Sequence, residues 1–357
     1  MTATGSAPAP TDTSRPVHGY AALERNGPIT PWEFELRAPR ANDVVFDVLF
    51  CGICHTDLHS IGPWGQEFPL VPGHEMVGRV TALGAEVTEL QVGDTVAVSV
   101  IVDSCGACGP CRSDQEVYCE AGPTNTYDGI DRIDGSRTRG GYADALVAHE
   151  RFVHRVPDGL DLAGVAPLLC AGITSWSPLR HWEIGPGSEV GVVGIGGLGH
   201  LGVKFAHALG ARVVAFTTSP DKRGTILALG ADEVVVSTDA EQMAAQAGRL
   251  DFILDTVSAT YPMTPLMQTL KLDGTLCSVG LPDRFDVSPF ILASKRLSLA
   301  SSGAGGTREI REMLDFCAEH GITADVEVVG PDQINDALGR LARNDVRYRF
   351  VIDMTRR

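Results

Sequence analysis

Apolar and polar positions change rhythm along the chain. The segments VVFDVLF (44–50), MVGRVTALG (76–84), DTVAVSVIV (94–102) and YADALVAHE (142–150) alternate or run apolar, and glycine, proline and aspartate separate them. That pattern predicts strands and turns, assembled into a partly open, barrel-like β domain with long loops. After about residue 187 come six short apolar runs: EVGVVG (189–194), RVVAFTT (212–218), EVVVS (233–237), DFILDTV (251–257), GTLCSVG (274–280) and RLSLASS (296–302). Stretches of helical length lie between the first five. In GLGHLGVKFAHALG (197–210), Leu198, Leu201, Gly202, Phe205 and Leu209 are spaced for one helix face. Strands alternating with helices predict a parallel, doubly wound sheet. The link 281–295 is irregular. REIREMLDFCAEHG (308–321) predicts a helix, and YRFVIDM (348–354) a last strand returning to the first domain.

With 357 residues the chain is long enough for two cores. Its formal net charge is -16 and no long basic run stands out, so neither nucleic acid nor an anionic membrane is an expected partner. No stretch approaches the roughly 20 apolar residues of a membrane span. Residues 1–17, mostly small, polar and proline-containing, predict a disordered leader without the marks of an export signal. A cytoplasmic location follows as the expectation, and there the nine cysteines point to metal or catalysis rather than to disulfides.

The cysteines fall into two sets. CGACGPC (105–111) and a following cysteine give Cys105, Cys108, Cys111 and Cys119, spaced C-x2-C-x2-C-x7-C. Four thiolates on one loop can close a tetrahedron around zinc with no open position, as structural sites do; a redox cluster is the alternative. The second set is scattered: Cys54 in CGICHTDLH (51–59), His74 in VPGHEMVG, and Cys170 in PLLCAG. Three protein ligands of this kind would leave a fourth zinc position for water or substrate.

GIGGLG (194–199) matches G-x-G-x-x-G, follows an apolar run and opens a helical pattern, the context of a dinucleotide-binding turn. Gly194 serves the tight turn, Gly196 the approach of pyrophosphate and Gly199 the packing of helix on sheet, with Gly197 and Leu198 between them. At the end of the second run stand Thr217, Thr218 and Ser219, then Lys222 and Arg223. NAD binders carry an acid there. Hydroxyls and cations instead suit a 2′-phosphate, although Asp221 argues the other way. NADP(H) is the expected cofactor.

Taken together, CGICHTD, GHEMVGRVTALGAEV (73–87), PLLCAGIT, GIGGLGHLG, EMLDFCAEHG and DVRYRFVID resemble the zinc-dependent medium-chain alcohol dehydrogenases, in their cinnamyl alcohol dehydrogenase branch, over roughly residues 18–354. The Cys₂His ligand set is the one for which alcohol dehydrogenase is the general example. The resemblance implies an α/β fold: a GroES-like catalytic zinc domain over 18–168 and 305–357, and a Rossmann NADP-binding domain over 169–304. It implies two zinc ions per subunit. Cys54, His74 and Cys170 would hold the catalytic one, with Glu75 as an alternating or neighbouring group. Thr56 would meet the substrate oxygen, His59 would pass the proton to solvent, and Asp57 would stand behind the metal. His55, Thr174, Thr256, Gly280, Ser302, Gly303 and Ala304 would contact the cofactor. A homodimer would form through the Rossmann domains. The activity implied is hydride transfer between NADP(H) and an aldehyde or primary alcohol. NADPH-dependent reduction of an imine or activated C=C bond, and a zinc- or redox-sensing protein without turnover, remain alternatives.

Overall fold

The computed structural model describes residues 14–356. The chain divides into two compact units, one comprising residues up to Cys170 with Gly306–Ala318 and Asp325 onwards, the other Ala171–Gly305 with Glu319–Ala324. The short return of 319–324 is tied into the second unit by Lys204, whose Nζ donates to Thr323 O at 2.9 Å.

The first unit is β-rich. An antiparallel hairpin pairs Arg15–Ala22 with Ile29–Leu36. The leader expected over 1–17 lies, up to residue 13, outside the described residues, and Arg15, Pro16 and Val17 are strand, with Val17 fully buried. A larger sheet runs in the order Val326–Val329, Arg349–Asp353, Asp43–Ile53, Met76–Leu83, Thr95–Val98, Val153–Arg155, with Ala145–His149 also pairing with Asp43–Ile53. Phe46, Ile53, Met76, Tyr142 and Phe350 are wholly buried in its core, each contributing about 1.5–3 kcal/mol. The register brings three strand ends together. Phe350 lies opposite Ile53, and Cys51 opposite Met76. Arg349, Cys54 and the His74–Glu75 pair therefore share one end of the sheet.

The run 94–102 is two strands rather than one. After Val98 the chain leaves the sheet, and Ile101–Asp103 pairs with Thr124–Asn125. Ser99 Oγ at the break donates to Leu169 O, which ties the segment to the chain just before Cys170.

The second unit is built on six parallel strands, β1 (Glu189–Val193), β2 (Arg212–Thr217), β3 (Glu233–Val236), β4 (Leu250–Asp255), β5 (Leu270–Ser278) and β6 (Ser298–Ser301). Their order is β3-β2-β1-β4-β5-β6, the doubly wound arrangement whose crevice lies at the carboxyl ends of β1 and β4. Phe216, Leu250, Ile253 and Leu276 form part of its core. The helix Gly199–Ala208 lies close on the sheet, because a Cβ at Gly202 would stand 2.7 Å from Leu254 Cδ2. The irregular link before β6 contains the helix Pro289–Lys295, which fully buries none of its residues and rests Ile291 and Leu292 against the core.

Candidate functional site

The strand Asp43–Ile53 runs directly into Cys54, the N-cap of the helix His55–Ile61. Asp57, in the first turn, reaches back: its Oδ2 accepts from Cys54 N at 2.8 Å and from the Tyr142 hydroxyl at 3.2 Å. Its Oδ1 accepts from Gly73 N at 3.2 Å and from the Tyr127 hydroxyl at 2.8 Å, and lies 3.5 Å from His74 Nδ1. One fully buried carboxylate thus joins the segments bearing Cys54 and His74. Burial, then the charge of Asp57, pushes Tyr127 well up; Tyr142 moves the same way, so both phenols stay donors. Gly73, at φ 102°, leaves no room for a side chain: a Cβ would stand 2.7 Å from both Cys51 Sγ and Tyr142 Cδ1.

Ligand atoms of Cys54, His74, Glu75 and Cys170 lie within 4.8 Å of one another. The two sulfurs are 3.9 Å apart. Two thiolates bound tetrahedrally at about 2.3 Å from zinc would be separated by about 3.8 Å, so the set fits that ion. Within the pair, the hydrogen bond from Cys170 is the chief cause holding Cys54 well below the usual thiol range, against burial; Cys170 is correspondingly raised. Burial opposes charge on His74, but hydrogen bonds and charges of Asp57 and Cys54 raise it well above an ordinary histidine. Glu75 is fully buried and paired with Arg349. Its Oε2 has no partner among the described residues, and a Cβ at Gly52 would stand 2.0 Å from that atom. Burial lifts Glu75 to about 7 despite the arginine.

Thr56 Oγ1 lies 3.5 Å from Cys54 Sγ. His59 is exposed and stacked on Trp64, ring centroids 4.3 Å apart at 25°. His55, also exposed, has its pKa lowered chiefly by desolvation.

The second cysteine set also converges, with Sγ atoms within 4.8 Å and Cys105 3.9 Å from Cys111. Backbone N–H groups of Ala107 and Cys108 donate to Cys105 Sγ at 3.5 and 3.4 Å, and these bonds lower its pKa to about 6. The lobe is anchored by Glu116, fully buried. Its carboxylate accepts from Arg151 Nε at 3.0 Å, Thr307 N at 3.0 Å and the Thr307 hydroxyl at 2.8 Å, while Arg151 Nη2 also donates to Cys111 O at 2.8 Å.

In the second unit, Gly194 ends β1 at φ 80°. A Cβ at Gly199 would stand 2.0 Å from Gly194 O, whereas one at the exposed Gly196 meets nothing within 4 Å among the described residues. Gly197 is half-buried, and Leu198 O accepts from Ser175 Oγ at 3.1 Å. At the end of β2, Thr217 Oγ1 accepts from Ser219 N at 3.1 Å and Thr218 is exposed. Arg223 Nη1 donates to Val234 O at 3.0 Å, while the exposed Lys222 carries no ion pair among the described residues. Thr174 and Gly280 are half-buried, as are Ser302 and Ala304, with exposed Gly303 between them just after β6. Thr256 turns its hydroxyl to Val193 O and Gly194 O, at 2.9 and 2.6 Å.

Sequence reasoning did not single out Arg349, Tyr127, Tyr142 or the Glu116–Arg151 anchor. For Arg349 there was a signal: a charge inside the apolar run RFVID needs a buried partner.

A buried cluster of cysteine, histidine and glutamate that could hold a metal ion and a glycine turn on a doubly wound sheet are the marks of a metal-dependent dehydrogenase. Two family models match the chain, the alcohol dehydrogenase GroES-like domain over residues 40–158 and the zinc-binding dehydrogenase domain over 197–319. Aldehyde reductase YahK of Escherichia coli is 51% identical over 342 residues, 94% of this chain and 98% of that protein. The cinnamyl alcohol dehydrogenase SbCAD4 of Sorghum bicolor superposes with a TM-score of 0.91 at 47% identity, covering 96% of this chain and 98% of that one. A Helicobacter pylori CAD complexed with NADP(H) superposes with a TM-score of 0.88 at 34% identity, over 96% and 99%. The chain belongs to the zinc-dependent medium-chain alcohol dehydrogenases, in the branch that holds the cinnamyl alcohol dehydrogenases.

Proposed function

We propose that this protein interconverts aldehydes and primary alcohols, with zinc and NADP(H) as its cofactors. In the reducing direction an aldehyde, NADPH and a proton give the alcohol and NADP⁺. The observation that carries this reading is the convergence of Cys54, His74 and Cys170, sulfurs 3.9 Å apart, at one sheet end in a chain of this family. Cys105, Cys108, Cys111 and Cys119 hold a second, structural zinc.

Zinc when bound supplies a Lewis acid to the substrate oxygen, and the nicotinamide supplies or takes up the hydride. The chain's own groups do the rest. Thr56, next to Cys54, gives the proton to the product oxygen or removes it from an alcohol. His59 exchanges that proton with solvent from its exposed position. Asp57 holds the Cys54 and His74 segments in register, and Arg349 neutralises Glu75 behind them. The dinucleotide would lie on the 194–199 turn, with Thr217, Thr218, Ser219, Lys222 and Arg223 taking the 2′-phosphate; Lys222, exposed and without an ion pair among the described residues, would be the principal cation.

The test is NADPH oxidation with cinnamaldehyde and benzaldehyde, NADH run alongside. Turnover selective for NADPH is expected. Cys54→Ser should abolish it while the protein retains one zinc per chain. A zinc-loaded protein that reduces imines or activated C=C bonds but no aldehyde would overturn the reading, as would a Cys54→Ser enzyme of normal rate. Among the described residues no single helix is long and apolar enough to cross a membrane. The free thiols fit the reducing cytoplasm, where we place the enzyme; its recovery from an exported fraction would contradict that.

A further inference from the structure

Thr256 stands first after β4, and its side chain is committed inside the second unit. The hydroxyl donates to Val193 O at 2.9 Å and Gly194 O at 2.6 Å, one proton shared between two carbonyls. Its backbone N–H also donates to Val193 O, at 3.0 Å. Gly194 O accepts in addition from Gly196 N at 3.0 Å. The glycines of the turn are shaped around this threonine. A Cβ at Gly194 would stand 3.0 Å from Thr256 Oγ1, and one at Gly199 would stand 3.3 Å from it. The strand end is itself held, because the buried Asp255 carboxylate accepts from Val257 N at 3.1 Å and from the Tyr261 hydroxyl at 2.9 Å.

A glycine-rich turn is the part of the unit with most conformational freedom to lose, since glycine enters left- and right-handed regions with similar ease. The direction of its N–H groups nonetheless decides whether they meet a phosphate. Rotating the peptide that carries Gly194 O would turn the N–H of Ile195 with it. A hydroxyl fixed on that carbonyl from a neighbouring strand therefore sets the donors in advance, and binding need not order them.

We infer that Thr256 is a positioning residue for NADP(H): its hydroxyl braces the 194–199 turn beneath the pyrophosphate and makes no contact with the nicotinamide. This rests on the placement of the dinucleotide at that turn. It separates Thr256 from the direct cofactor contacts with which the family resemblance groups it.

Two ligands distinguish bracing from contact: NADPH, followed by its fluorescence, and 2′-phospho-ADP-ribose, which lacks the nicotinamide, followed by calorimetry. In Thr256→Val, dissociation constants for both should rise by the same factor, about tenfold for one lost hydrogen bond. Thr256→Ser, which keeps the hydroxyl, should bind both within about twofold of the original, the spread expected when the interaction survives. Should the Val protein not fold, Thr256→Ala carries the same comparison. Weakened NADPH with unchanged fragment binding would mean a nicotinamide contact and overturn the inference; so would unchanged affinity for both, or a Ser variant as weak as Val. Gly196→Leu is the control for the site itself, because the position has open space in the protein. If that variant binds both ligands normally, the placement of the dinucleotide fails. If it binds neither while Thr256→Val binds both normally, only the brace fails.

Discussion

Asp57 is the residue on which most of the metal centre's geometry converges. A carboxylate with four donors and a histidine about it, drawn from the segments of Cys54 and His74 and from two distant tyrosines, acts as a hub of the first unit. Its place beside Cys54 and His74 was legible in the motifs; its partners were not. Tyr127 and Tyr142 come from 70 and 85 residues away, and Arg349 meets Glu75 across 274. Spacing along a chain carries no information about such pairs unless a buried charge demands one. His59 is the residue whose role is most directly open to measurement. With its ring exposed and held against Trp64, His59→Ala should lower kcat on the order of tenfold or more, with partial rescue by imidazole buffer. A rate that neither falls nor responds to buffer would remove the relay.

Elements were legible where one rhythm persisted. The alternation of apolar runs and helical stretches after residue 187 corresponds to β1–β6 and their helices, with ends displaced by a few residues. The hairpin of Arg15–Ala22 and Ile29–Leu36 escaped notice because proline and small polar residues at its start blend with the leader, while its buried positions merely alternate. The run 94–102 looked like one strand because a change of pairing partner leaves no mark on hydropathy. At the element scale β4 carries a pH signature. Burial raises the Asp255 pKa to about 6, opposed in part by Val257 N–H and the Tyr261 hydroxyl. An unfolded aspartate titrates near about 3.9. Between those values the folded state holds the proton more tightly, so this group costs stability as pH rises through the window, on the order of 2 kcal/mol. In denaturant melts the difference between Asp255→Asn and the original should therefore move in favour of Asn from pH 4 to pH 6. A difference constant with pH would refute the assignment.

At the scale of the whole molecule, the sixth strand is the point of interest. β6 is the outer strand of its sheet, and an unpaired strand edge is a template for another chain. Beside it in sequence, Phe290 is 80% exposed and Leu281 69% exposed, while Ile291 and Leu292 of the same helix face the core. A second copy pairing through β6 would give the twofold dimer that the family resemblance implies. Light scattering should give about twice the 37.9 kDa chain mass, and Phe290→Asp should shift the protein towards the monomer. A monomer at micromolar concentration in the unaltered protein would dismiss the dimer.

The two cysteine sets differ in how far apart their members lie, and that difference sets an order of events during synthesis. The four thiols of the 105–119 lobe emerge from the ribosome within about three seconds of one another at common elongation rates of about 5–20 residues per second, and close on an ion locally. Cys54 must wait for Cys170, 116 residues behind it. On the proposed zinc assignment, a chain still being made can therefore hold a filled lobe while its catalytic set is incomplete, and metal supplied after synthesis can still enter that set.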